Sequence, residues 1–317
     1  MKRKGKGSKE LLYSESLPDL RKDTGKASIK QWAKVVLESA IDIAVKAKAN
    51  ALIVCADAMS DYESMREVGR KVKIIFVTRN RVNFDQAKEV SENVLLIPNV
   101  KLTRMGQVKI ALLIALSQGL LRVGDSAICL SGLPDLGYMD TIMLIEIGQE
   151  FEILKAPESV DFSRQIPYEV FDTLLNMAIE MAHEGREGKP IGTTFVLGDH
   201  ENVLKYSRPL VMNPLQGHPE EERNLLNPKF KETIKEFSSI DGAFIIREDG
   251  VVLSAGRYLN VAYLGEDLPQ GLGARHAAAA AITGVTDAVA ITISESTGKV
   301  TIFKQGRIMM DIEKPPR

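Results

Sequence analysis

The sequence predicts an α/β protein of two parts: an N-terminal parallel-sheet α/β domain and a C-terminal mixed α/β domain with a largely antiparallel sheet. Three observations predict it. Between residues 28 and 155, short continuous apolar runs alternate with helix-patterned segments, as in a parallel sheet with right-handed crossovers. After residue 240 the apolar period changes to two, with glycine turns between the runs. The length of 317 residues, 44% of them hydrophobic, supplies two cores at roughly 100–200 residues per domain.

In the first domain, Trp32, Val35, Val36, Ala40, Ile43 and Ala44 fall near helical spacing. ALIVCA (51–56) follows as a run of the kind buried on both faces of a sheet. A helix pattern from Tyr62 to Val72 leads to KIIFVT (73–78), AKEV leads to VLLIPN (94–99), and a helix through Val108 to Leu121 leads to SAICLSG (126–132). TIMLIEIG (141–148) closes the series, and all these runs are read as one parallel sheet. The segment APESVDFSRQIP (156–167) carries two prolines and no clean period. It sets the division into a tail (1–27), a first domain (28–155) and a second domain (156–317).

The second domain opens on an amphipathic pattern, Phe171, Leu174, Leu175, Ala178 and Met181. GTTFVLGD (192–199) reads as a strand and residues 208–230 as loop. Asn227-Pro228 signals a helix start, with Phe230, Ile234 and Phe237 as its buried stripe. DGAFII (241–246) and GVVLSAG (250–256) flank a tight turn at Asp249-Gly250. AVAITIS (288–294), KVTIFKQ (299–305) and RIMMDIE (307–313) form a meander, turning at Thr297-Gly298 and Gln305-Gly306.

Composition narrows the function classes. A formal net charge of -1 gives no support to bulk nucleic-acid binding. The basic start, with Lys2, Arg3, Lys4, Lys6 and Lys9, cannot bury apolar surface and is expected to be a disordered, solvated tail or a polyanion contact. It has no apolar segment of a secretory signal. No stretch reaches the roughly 18 apolar residues of a membrane span. Cys55 and Cys129 sit inside strand-like runs, as in a reduced, cytoplasmic protein. The four histidines show no HExxH, and the chain has no CxxC, GxGxxG, P-loop or GxSxG. Lys71, Lys73, Arg79 and Arg81 around one strand read as a solvated rim.

Three short stretches could carry chemistry. Asp241 opens an apolar strand, either as a turn residue capping a nearby N–H or as a carboxylate that holds a metal or accepts a proton. Gly242 and Ala243 after it are small enough for a ligand to lie against the strand. Gly271 and Gly273 precede a helix start at Arg275 and His276, backed by alanines 277–281. That start is either plain and exposed or a phosphate site, where free N–H groups and an arginine fork meet an anion. Ser294 and Glu295 leave a strand end, either as a polar turn or as oxygen ligands for a hard cation.

Taken in order, DGA (241–243), LGARHAAAAAIT (272–283) and ISESTGKVTIFKQGRI (293–308) resemble the diadenylate cyclase (DAC) domain, over residues 160–314. ESAIDIAVKAKANALIVCA, KIIFVTRN and GDSAICLSG resemble the C-terminal domain of pyruvate kinase, over residues 30–150. In pyruvate kinases that domain binds regulators. The pair of domains resembles the archaeal form of the cyclase.

The DAC resemblance implies condensation of two ATP into cyclic di-AMP and two pyrophosphates, across two domains that face each other in at least a dimer. It implies Asp241 as the catalytic carboxylate, and Asp241 with Glu295 as ligands of Mn2+ or Mg2+. It implies Gly242, Ala243, Gly273, Arg275, His276 and Ser294 as nucleotide-binding, with Leu264 at the adenine edge. The chain departs from the family at Ala277, where relatives carry a second arginine, and at Ala274, where many carry a threonine. Those departures leave a second expectation: a sensor that binds ATP or cyclic di-AMP with little or no turnover.

Overall fold

The computed structural model describes residues 26–59, 62–133, 137–148, 166–262 and 273–315. Five strands make the N-terminal sheet: β1 (Ala51–Cys55), β2 (Ile74–Thr78), β3 (Val94–Leu96), β4 (Ser126–Leu133) and β5 (Tyr138–Glu146), in the order β3-β2-β1-β4-β5. Every residue of β1 and β2 is buried, which is why these strands are unbroken apolar runs. β1 to β4 are parallel, but β5 pairs antiparallel with β4, Ser126 opposite Glu146. This corrects the expectation for 141–148. Too few residues separate β4 from β5 for a crossover, so the chain returns antiparallel.

Helix α1 (Lys26–Lys46) covers one face of this sheet and α4 (Arg104–Ser117) the other. α1 buries Ala40 and Ala44, while Trp32, Val35 and Ile43 of its expected stripe are largely exposed. α2 (Met65–Gly69) is shorter than its pattern, and the Tyr62 ring instead packs edge-on against Phe76. α3 (Arg81–Lys88) begins where the Asn80 side chain accepts from Val82 N.

The C-terminal sheet has seven strands: β6 (Thr193–Leu197), β7 (Ser207–Pro209), β8 (Ala243–Ile246), β9 (Val252–Leu259), β10 (Val289–Ile293), β11 (Val300–Lys304) and β12 (Arg307–Ile312). Their order is β12-β11-β10-β6-β8-β9-β7. Among the described residues β6 and β8 alone pair in parallel, and the other pairings are antiparallel. Among the described residues four helices accompany it: α5 (Tyr168–Glu184), α6 (His200–Lys205), α7 (Phe230–Phe237) and α8 (Ala274–Val285). α6 and β7 occupy stretches without a clear period and were not anticipated. The start of α7 is also corrected. Lys229 is the cap residue, and Asn227 Oδ1 accepts from Lys229 N in the turn before the helix.

The layers run α1, N-terminal sheet, α4 against α5, C-terminal sheet, α8. One apolar cluster runs through the middle, from Val108 and Leu112 of α4 through Phe171 and Leu175 of α5 to Phe195 and Ile291 of the second sheet. Polar bonds cross the same seam. Lys109 Nζ donates to Asp311 O at 2.8 Å, and Ser117 Oγ to Asp172 Oδ1 at 2.7 Å. On the far face, Ala279 and Ala280 of α8 pack onto Val196, Ala243 and Ala290. Alanines there bring the helix close to the sheet.

Cys55 and Cys129 are buried and not joined in a disulfide, and burial pushes the Cys55 thiol up to about 11. Among the described residues no helix is long and apolar enough to cross a membrane. The basic tail, the boundary segment 156–165 and Leu264 lie outside the described residues.

Candidate active site

Strand pairing brings the candidate residues to one end of the C-terminal sheet. Thr194 of β6 is opposite Ala243 of β8, and Thr193 is opposite Ile293 of β10. Continuing both registers places Asp241 beside Gly192 on one side and Ser294 on the other. The carboxylates of Asp241 and Glu295 therefore leave neighbouring strands that flank Gly192. α8 lies against the same sheet and delivers Arg275 from its first turn.

Each position has a local cause. Asp241 lies in the bend between α7 and β8, and its side chain is 89% exposed. Gly242 turns the chain at φ +106°, where a Cβ would stand 2.8 Å from both the N and the O of Arg257. Only glycine fits so sharp a left-handed turn against another strand. Ala243 then enters the sheet, buried and opposite Arg257. Gly273 caps α8 with extended backbone and no side-chain bond. His276 N and Ala277 N turn back to Gly273 O, so Ala274 N and Arg275 N are the first-turn donors without an intrahelical acceptor.

Arg275 joins the two carboxylates. Its Nη2 lies 3.4 Å from Asp241 Oδ1 and its Nη1 3.2 Å from Glu295 Oε2. Gly192 makes room for this pairing, because a Cβ there would stand 2.6 Å from Arg275 Nη1 and 2.8 Å from Glu295 Cβ. Sequence reasoning missed Gly192. Its signal was a lone glycine directly before an apolar strand.

The other candidates are placed differently. Ser294 adjoins Glu295, but its hydroxyl pairs with Ser296 Oγ at 3.3 Å. The His276 ring is buried and meets Phe303 edge-on, with centroids 6.0 Å apart. Burial, its largest influence, lowers the pKa of His276 below the ordinary 6.5. The structure thus gathers Asp241, Arg275 and Glu295 around Gly192, sets Gly242, Ala243 and Gly273 as their backbone supports, and tucks His276 behind them.

A carboxylate pair, an arginine and a helix start thus meet at one sheet end, within a segment that the nucleotide-binding family model covers. Comparison with known proteins agrees. Residues 180–308 match the family described as DisA bacterial checkpoint controller nucleotide-binding, and residues 33–154 match the one described as Probable sensor domain DacZ_P. The chain is 33% identical over 303 residues to a diadenylate cyclase of Methanocaldococcus jannaschii, covering 89% of this chain and 96% of that protein. It is 36% identical over 199 residues to a diadenylate cyclase of Haloferax volcanii, covering 63% and 72%. A shorter match of 66 residues, 41% identical, links it to the cyclic di-AMP synthase CdaS of Bacillus subtilis and covers 21% and 30%. The chain belongs to the diadenylate cyclase family. The match over residues 33–154 is to the model described as a probable sensor domain, and the pyruvate-kinase resemblance stays a likeness in the order of strands and helices.

Proposed function

We propose that this protein is a metal-dependent diadenylate cyclase that joins two ATP molecules into cyclic di-AMP and releases two pyrophosphates, with the catalytic part at 156–317 and the sensor part at 28–155. The observation that carries the reading is the convergence of Asp241, Arg275 and Glu295 at one sheet end, inside the segment matched to nucleotide binding.

Asp241 stands open to solvent, where a ribose 3'-OH can reach it and pass it a proton. Arg275 offers a planar fork to phosphate oxygens, and Ala274 N and Arg275 N add helix-start donors. Gly242 and Ala243 hold the carboxylate to a fixed strand, and His276 anchors the first turn of α8 from behind. Ser294 and Gly273 border the space for the phosphates, and Leu264 is assigned to the adenine edge.

Among the described residues no group of three or more His, Cys, Asp or Glu could hold a metal ion. The donors present fit a different arrangement. Asp241 and Glu295 are hard oxygen ligands that already face one cationic group, which suits Mn2+ or Mg2+ completed by phosphate oxygens and water. Such an ion supplies charge neutralisation at the triphosphate.

One site holds one ATP, and the product has two phosphodiester links. Two sites must therefore face each other, each 3'-OH attacking the α-phosphate held opposite, so the active unit is at least a dimer. The open setting of Asp241, 89% exposed, leaves room for the second nucleotide. Two buried cysteines outside any disulfide are in keeping with a cytoplasmic setting.

A second reading has its own observation. Ala274 and Ala277 give the first turn neither a hydroxyl nor a second cation, which favours a sensor that binds ATP or cyclic di-AMP with little turnover. Incubation with ATP and Mn2+ or Mg2+, followed by mass spectrometry, separates the two. Cyclic di-AMP, forming at a rate that rises faster than linearly with protein at low concentration, supports the cyclase. Saturable binding without product supports the sensor.

A further inference from the structure

Asp241 and Glu295 already have a cation. The Arg275 guanidinium reaches one with Nη2 and the other with Nη1, at 3.4 and 3.2 Å, and so spans both. It lies over Gly192, the residue between the two carboxylate-bearing strands, and a Cβ at Gly192 would collide with Nη1. The missing side chain is what lets the fork reach both acids.

A divalent ion held by these two carboxylates needs the space that this fork takes. Two cations cannot share it, because like charges within contact distance repel. The triphosphate, in turn, needs a guanidinium that is not engaged with carboxylates. The geometry points to an exchange: Arg275 is the resident counter-ion of the metal site, holding Asp241 and Glu295 as an oriented pair until a divalent cation displaces it, and the displaced guanidinium then meets the triphosphate. This rests on the metal assignment proposed above and adds a second task for Arg275 before substrate arrives. The exchange is easy because the pairs are solvated: the side chains are 37% exposed for Arg275, 89% for Asp241 and 62% for Glu295. Exposed pairs of this kind are weak, so the handicap on metal binding is modest, about threefold to tenfold.

The test is Mn2+ binding to the full chain without nucleotide, read from the electron paramagnetic resonance of free Mn2+. Arg275→Ala is expected to bind Mn2+ about threefold to tenfold more tightly than the wild type. Arg275→Lys keeps a charge but loses the fork and is expected to fall between them. Added guanidinium chloride, at a concentration too low to unfold the protein, is expected to weaken Mn2+ binding by Arg275→Ala toward the wild-type level. Thermal melts establish that both variants fold. Equal or weaker Mn2+ binding by folded Arg275→Ala overturns the exchange, as does the absence of Mn2+ binding by all three proteins. Because no nucleotide is present, a failed turnover assay bears on the proposed function, and a failed competition bears on the exchange alone.

Discussion

Ser117 Oγ donates to Asp172 Oδ1 at 2.7 Å, tying the end of α4 to the first turns of α5. Gln118 Nε2 donates to the other carboxylate oxygen at 2.9 Å. Burial nevertheless dominates and raises the Asp172 pKa from 3.8 to about 6. Between those values the folded protein keeps a proton that the unfolded chain has lost. The stability this proton contributes is complete below about 3.8 and is lost as pH rises through about 6. Asp172→Asn does not titrate, so wild-type stability minus variant stability is expected to fall by roughly 1–3 kcal/mol between those limits. Urea melts of both proteins across the window check it. Taking the difference removes the opposite contribution of His183 and His276, whose pKa values burial lowers.

Gly242 carries the second expectation. Alanine at φ +106° is strained, and its Cβ meets the Arg257 backbone. Gly242→Ala is expected to lower stability by roughly 1–3 kcal/mol and to lower turnover further, because Asp241 directly precedes it. Melts and initial rates on one preparation separate the two losses.

Gly192→Ala is expected to act on the site more than on the fold. The new methyl group would push against Arg275 Nη1 and Glu295 Cβ, both at an open sheet end. Turnover should fall roughly 10–100-fold, as misplaced site groups do, with little change in melting temperature. A large loss of stability with normal turnover in the remaining folded protein would contradict this placement.

His276 is held neutral by burial above its ordinary pKa of 6.5. It brings no charge to the triphosphate there, and its edge contact with Phe303 makes it a support for the helix start. His276→Gln, which removes the titrating ring, is expected to leave the shape of the pH–rate profile above 6.5 unchanged, even where the rate drops. A limb lost with the histidine would contradict this.

Much of this fold was legible because its strands state their burial. β1 and β2 are buried on both faces and read as continuous runs, and the strands of the meander β10 to β12 are delimited by the turns at Gly298 and Gly306. β5 was misread as parallel because direction is set by the length of the connection and not by the residues of the strand. The exposed Trp32 and Val35 show the same limit: helical spacing gives a stripe but not which stripe meets the sheet. Asp241, Arg275 and Glu295 were singled out by residue type, order and the resemblance to the DAC domain, and the structure brings the three together. Gly192 was not, since its role is the absence of a side chain beneath residues 83 and 103 positions away in sequence. Only the pairing of β6 with β8 and β10 reveals it.

Asp241 at this sheet end is proposed to drive cyclic di-AMP formation from ATP. Its most direct measurement is product stoichiometry with Mn2+, comparing the full chain with Asp241→Asn. The wild type is expected to yield one cyclic di-AMP and two pyrophosphates for every two ATP consumed, and a folded Asp241→Asn that still binds ATP is expected to yield neither product. Cyclic di-AMP from Asp241→Asn at the wild-type rate, or ATP binding by the folded wild type with no product, would contradict it.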